Sequence, residues 1–178
     1  MKELTHRGFK DLYDSDIYRL GDCKFYVKRF VFLLRKLQCC KHPLLRCYYL
    51  IHYSWLSRKY GLEILPQTQI GKGLYLGHAY NITINPSSVL GNNINLHKGC
   101  TIGGENRGKR KGAPIIGDRV WIGVNAAVVG SIRIGDDVLI APNSFVNCDI
   151  PSHSIVFGNP CSIVHRPNAT EGYINNIV

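Results

Sequence analysis

Residues 115–146 read IIGDRVWIGVNAAVVGSIRIGDDVLIAPNSFV. An aliphatic residue stands at every sixth position of this stretch: Ile116, Ile122, Val128, Ile134, Ile140 and Val146. A period of six fits neither an amphipathic helix nor a half-buried strand, whose periods are about 3.6 and 2. It fits a triangular solenoid. Each hexapeptide is one short strand plus a corner, and three of them close one coil of about eighteen residues. The aliphatic residue points inward and stacks on its equivalent in the next coil. Neighbouring coils pair as parallel strands at roughly 4.8 Å, so each coil buries its apolar side only against its neighbours.

The pattern extends upstream through Ile64, Ile70, Leu76 and Ile82. One inserted residue then shifts the register to Val89, Asn95 and Thr101. This reading puts the polar Asn95 and Thr101 at inward positions, near one another. Glycine often follows the repeated residue, and Asn92, Asn93 and Asn125 fall at corners. Both residue types tolerate the left-handed backbone that sharp corners need. Residues 103–114, Gly-Gly-Glu-Asn-Arg-Gly-Lys-Arg-Lys-Gly-Ala-Pro, interrupt the repeat with a basic, glycine-rich loop. Such excursions in compact folds usually serve function.

Three segments result: a helical cap over residues 1–61, a solenoid over 62–150, and a tail over 151–178. Within the cap, Phe25 to Cys40 and Leu44 to Tyr60 each read as a helix, split by Pro43. Solenoids require such caps on their terminal coils. With 45% apolar and 19% charged residues the chain reads as globular. The net charge of +10 points to anionic partners. Seven cysteines without a CxxC spacing fit reduced thiols of a cytoplasmic protein and no zinc site, and no metal is expected. The N-terminus lacks a signal-peptide h-region, and the longest apolar runs are too short to span a bilayer. No recognised nucleic-acid reader motif is present, so nucleic acid is not an expected partner.

Four stretches carry a resemblance: Ile70-Gly71-Lys72-Gly73-Leu74-Tyr75-Leu76-Gly77-His78-Ala79, Thr101-Ile102-Gly103-Gly104, Val120-Trp121-Ile122-Gly123 and Val156-Phe157-Gly158-Asn159-Pro160. In order and spacing they resemble the hexapeptide-repeat acyltransferases, specifically the serine acetyltransferase family and its polysaccharide-acetylating relatives. The resemblance covers about residues 62–166. It implies a left-handed parallel β-helix with a short N-terminal helical cap, acetyl-CoA as co-substrate, and a homotrimer with each active site between two solenoids.

The resemblance also implies roles. His78 stands as the catalytic base, which suits a side chain poised to take a proton near neutral pH. Glu63 falls where the family pairs a carboxylate with that histidine. Gly104, Val124, Ala141 and Pro142 would contact the pantetheine arm, and Arg166 or the basic loop the CoA phosphates. His97, read as one coil beyond His78 at the same place in the repeat, would line the acceptor groove. The serine enzymes carry Asp before the catalytic His and an Arg-His pair before the loop's Pro; here Gly77 and Gly112-Ala113 stand in those places.

The expected reaction is therefore acetyl transfer to a hydroxyl-bearing acceptor, a sugar in capsule, exopolysaccharide or O-antigen synthesis. The alternatives are serine O-acetylation in cysteine biosynthesis and, from another class, a non-catalytic binding solenoid. His78, Glu63 and the basic loop argue against the last. The basic, aromatic helices of the cap suit peripheral contact with the anionic inner face of a membrane.

Overall fold

A computed structural model of the chain describes residues 8–178; residues 1–7 of the expected cap lie outside it. Three helices open the fold: α1 (Phe9–Leu20), α2 (Phe25–Cys39) and α3 (Pro43–Tyr60). Pro43 sits in the first turn of α3, where its missing N–H costs nothing, and Gly61 ends the helix in the left-handed region at φ 64°.

Fifteen short strands follow among the described residues and form three faces. The first face stacks β1 (Leu62–Ile64), β4 (Ile82–Ile84), β7 (Thr101–Gly103), β10 (Ala127–Val129) and β13 (Phe145–Val146). The second stacks β2 (Gln69–Ile70), β5 (Val89–Leu90), β8 (Ile115–Ile116) and β11 (Arg133–Ile134). The third stacks β3 (Tyr75–Gly77), β6 (Asn95–His97), β9 (Val120–Ile122), β12 (Val138–Ile140) and β14 (Ser154–Phe157). All these pairs are parallel, giving the expected hexapeptide β-helix with five coils. Its axis is filled by buried aliphatic side chains such as Leu76, Leu96, Ile122, Ile140 and Val156. β15 (Ser162–His165) pairs antiparallel with β14 and closes the last coil.

From Ile116 to Val146 the inward positions are those of the six-residue pattern. Between Ile82 and Thr101 the register needs correction. Leu62 pairs with Ile82 and Gly77 with His97, so the chain advances by 20 residues here. The inward, buried residues are Ile84, Leu90, Leu96 and Ile102, not Val89, Asn95 and Thr101. Two residues are inserted rather than one, at the corner Gly77 to Asn81. There His78 and Asn81 both adopt left-handed backbone, at φ 50° and 52°. Asn95 lies on the outer surface of the third face under the tail, and Thr101 on the first face beside Thr83 and Ala127; the two are not neighbours.

The cap closes the open end of the first coil by satisfying its backbone groups. Arg35 donates to the carbonyls of Ile70 and Gly71 at 2.9 and 2.6 Å. Asp16 pairs with Arg35 at 2.7 Å, both fully buried, and accepts from the Leu74 N–H at 2.7 Å. Arg19 donates to the Gly73 carbonyl and Tyr53 to that of Ile64. Removing one partner of a buried pair of this kind costs about 3–5 kcal/mol, because the other charge is left uncompensated. The tail folds back along the third face. Asp137 accepts from the N–H groups of Ala169 and Thr170 at 3.0 Å each, and Asn93 exchanges two bonds with Val178.

Candidate active site

The inserted corner projects His78 outward between the third and first faces, exposed on a left-handed turn. It lines a cleft of 420 Å³ whose other walls include Asp22, Cys23, Tyr26, Tyr80 and Lys98. The cleft rests on an aromatic cluster. Tyr26 stacks on Tyr60 with ring centroids 4.0 Å apart, and Tyr80 leans on both at 5.8 and 5.3 Å. Burial, with Tyr80 beside it, pushes the Tyr26 phenol up to about 12, so it stays a neutral donor.

His97 stands beside Gly77, one position earlier than the sequence spacing placed it. Its imidazole lies over Gly77, where any Cβ would clash with Nδ1 and Cε1. Trp121 packs against it at 4.6 Å and Tyr75 at 6.2 Å. Burial first, then the charge of His78, pulls the His97 pKa down to about 4. The ring is neutral at physiological pH, and its buried Nε2 has no hydrogen-bond partner among the described residues.

The remaining expected site residues divide by edge. Val124, Ala141 and Pro142 occupy successive corners on the same edge as His78, where Val124 O accepts from Asn143 and Ala141 N donates to Val156 O. Gly104 follows β7 at the edge between the first and second faces, close to Asn85. Arg166 is exposed in the tail, its N–H bonded to the His153 carbonyl. Glu63 lies exposed on the first face, with the Thr83 hydroxyl 3.4 Å from its carboxylate; no hydrogen bond joins it to His78 among the described residues. One chain thus places His78 on the edge of Val124, Ala141 and Pro142, with His97 near enough for the two imidazoles to interact electrostatically, and puts Gly104 on another edge. The basic loop is a hairpin bridged at Glu105 and Gly112, and Arg110 ties it to the Asn147 carbonyl at 2.7 Å.

Several residues of the cleft carried no sequence signal. Cys23, Tyr26 and Asp22 come from the cap, where no repeat marks position. Cys100, the cysteine nearest in the repeat, is buried inside the solenoid, and burial pushes its thiol up to about 12. Cys23 is the cysteine that lines the cleft. No group of three or more His, Cys, Asp or Glu side chains among the described residues could hold a metal ion.

The pattern described as bacterial transferase hexapeptide (six repeats) matches residues 113–148. Serine acetyltransferase of Staphylococcus aureus is 38% identical over 120 residues, covering 67% of this chain and 56% of that protein. Serine acetyltransferase 4 of Arabidopsis thaliana is 35% identical over 111 residues, 62% of this chain and 31% of that protein. The chain therefore spans from just under a third to little more than half of these relatives' length. The crystal structure of Neisseria gonorrhoeae serine acetyltransferase in complex with serine superposes with a TM-score of 0.67 at 30% identity, covering 88% of this chain and 69% of that one.

Proposed function

The chain belongs to the hexapeptide-repeat transferases, in the serine acetyltransferase family, and on that premise we propose that it is an acetyl-CoA-dependent O-acetyltransferase with His78 as its base. The observation that carries the reading is the position of His78: an exposed imidazole on an inserted corner, in a cleft, on the edge shared with Val124, Ala141 and Pro142. In this mechanism His78 takes the proton of the acceptor hydroxyl as that oxygen attacks the thioester carbonyl. The tetrahedral intermediate collapses, and the same proton passes to the departing CoA sulfur. Glu63 would steady the imidazolium from the first face, and His97 would contact the acceptor.

A second copy explains the scattered donor residues. Gly104 lies on a different edge from His78, so a CoA groove using both needs two solenoids side by side. We propose a homotrimer, cyclic closure being common among homo-oligomers. Light scattering should return three chains; a fully active monomer contradicts it.

For the acceptor, the relatives' names support serine better than a sugar. One observation favours a sugar as second reading. The resemblance puts a carboxylate at position 77 of serine enzymes; this chain has Gly77, with the neutral His97 ring over it. The test is acetyl-CoA turnover with L-serine and with a panel of glycosides. Turnover with neither removes the enzymatic reading.

We also propose a cytoplasmic protein that touches an anionic membrane. From Lys24 to Lys59 the chain has nine Lys and Arg and no Asp or Glu. On α3, Leu44, Leu45, Tyr48, Ile51 and Trp55 are exposed. Apolar and aromatic groups flanked by cations suit the lipid headgroup region. No helix among the described residues is long and apolar enough to cross a membrane.

A further inference from the structure

A second cavity, of 540 Å³, lies beside the His78 cleft and shares Asp22, Cys23 and Tyr75 with it as a common wall. Three separate parts of the chain build it: the turn between α1 and α2, the outer surface of the third face, and the tail. Four rings line it in an unbroken row. Tyr75 and His97 stand 6.2 Å apart, His97 and Trp121 4.6 Å, and Trp121 and Tyr173 5.2 Å. Its size falls within the range of small-ligand sites, and a lone amino acid would leave most of it empty.

The polar groups of this cavity are mostly neutral or already engaged. Arg19 commits its guanidinium to the carbonyls of Gly73 and Asn175 and to the Asn95 side chain. Asn95 in turn donates to the Tyr173 carbonyl at 3.1 Å. Among the described residues, the polar surface open in the cavity includes the amides of Asn175 and Asn176, the hydroxyl of Tyr173 and the exposed carboxylate of Asp22. A zwitterion would need a free cation for its carboxylate, and Arg19 is not free to supply one. Flat rings beside neutral amides instead match a ligand with apolar C–H faces and many neutral hydroxyls. Aromatic side chains offer such a ligand large, rigid contact area. His97 Nε2 is left without a partner among the described residues, a desolvation cost that a ligand hydroxyl could relieve.

Resting on the acetyltransferase reading, we infer that this aromatic-walled cavity is the acceptor subsite, and that it takes a neutral glycosyl unit lying against Trp121 and Tyr173 with one hydroxyl reaching toward His78. It selects between the two acceptors by shape and charge rather than by a single contact.

The chain has two tryptophans, Trp55 and Trp121. Trp55→Phe therefore leaves Trp121 as the sole tryptophan reporter, and Trp55 is exposed, so its loss is tolerable. Titrating this variant with methyl glycosides of common hexoses and N-acetylhexosamines should change Trp121 emission saturably; L-serine should not. Adding Tyr173→Ala should weaken glycoside binding about 3- to 10-fold, the scale of one aromatic contact. Because Tyr173 is over half exposed, at 54%, circular dichroism should show the fold intact. Saturation by serine alone, or no response to any glycoside, overturns the subsite. Binding does not depend on turnover, so the two readings fail separately. Glycoside binding with acetyl transfer to neither serine nor any glycoside sinks the enzymatic reading and leaves the cavity a glycoside site without an acceptor's role. Transfer to serine with no glycoside binding sinks the subsite and leaves the enzyme.

Discussion

The imidazole of His97 occupies the space in which a side chain at residue 77 would stand, so Gly77 and His97 are one structural unit across two coils. Gly77 is not held at positive φ; the constraint is room, not backbone conformation. Gly77→Ala should force the His97 ring off Trp121 and cost about 1–3 kcal/mol, as overpacking does. Combining it with His97→Ala should return most of that loss, because the clash has gone. Urea titration of the four proteins measures this, and strict additivity would contradict the packing.

His97 also predicts a pH dependence. Its folded pKa of about 4 lies below the ordinary 6.5 because burial disfavours the charged ring. Below pH 6.5 the unfolded chain takes up a proton that the folded chain refuses. Its contribution is fully present above pH 6.5 and is lost as pH falls toward about 4. His97→Gln should flatten this part of the profile in thermal melts across pH 4–7. An unchanged slope would mean that the ring is solvated.

Transfer should be direct, with no acyl-enzyme. Cys100 is sealed in the solenoid and its thiol is held protonated. That leaves Cys23, which lines the cleft. Cys23→Ser should keep kcat within about threefold, far short of the 100- to 10,000-fold typical of a group in the chemistry. Mass spectrometry during turnover should find no acetylated cysteine. An acetyl group on Cys23 that discharges to acceptor would replace the mechanism.

The acid-free hairpin of α2 and α3 should bind lipid. Vesicles with anionic phosphatidylserine should pull the protein down at low salt, and neutral phosphatidylcholine vesicles should not. Raising salt should release it, since surface electrostatics are screened. Replacing exposed Ile51 and Trp55 by Ser should weaken binding without touching charge. Equal binding to both vesicle types would exclude the electrostatic part of the proposal.

The solenoid was legible because a period of six has few structural solutions, and Ile116 to Val146 repeats it without interruption. The register error at Ile82 has a physical cause. Ile82 and Ile84 both point inward, so the six-residue spacing from Leu76 to Ile82 conceals the two extra residues between them. Those residues form the corner that carries His78. That His78 falls at a corner of the solenoid was legible from the repeat, with Gly77 beside it. Cys23 and Tyr26 were not, because helix packing brings them to the cleft from outside the repeat, and nor was Tyr173, which the returning tail brings to the neighbouring cavity.

If His78 takes the acceptor's proton, His78→Ala and His97→Ala must diverge sharply in one acetyl-CoA assay. His78→Ala should lower kcat by about 100- to 10,000-fold, the usual contribution of a general base. Folding should survive, because His78 is exposed on a turn and supports no core contact. His97→Ala should chiefly raise the acceptor's KM and leave that of acetyl-CoA unchanged. A His78→Ala enzyme near full activity beside a dead His97→Ala enzyme would contradict the account and move the base one coil along the solenoid.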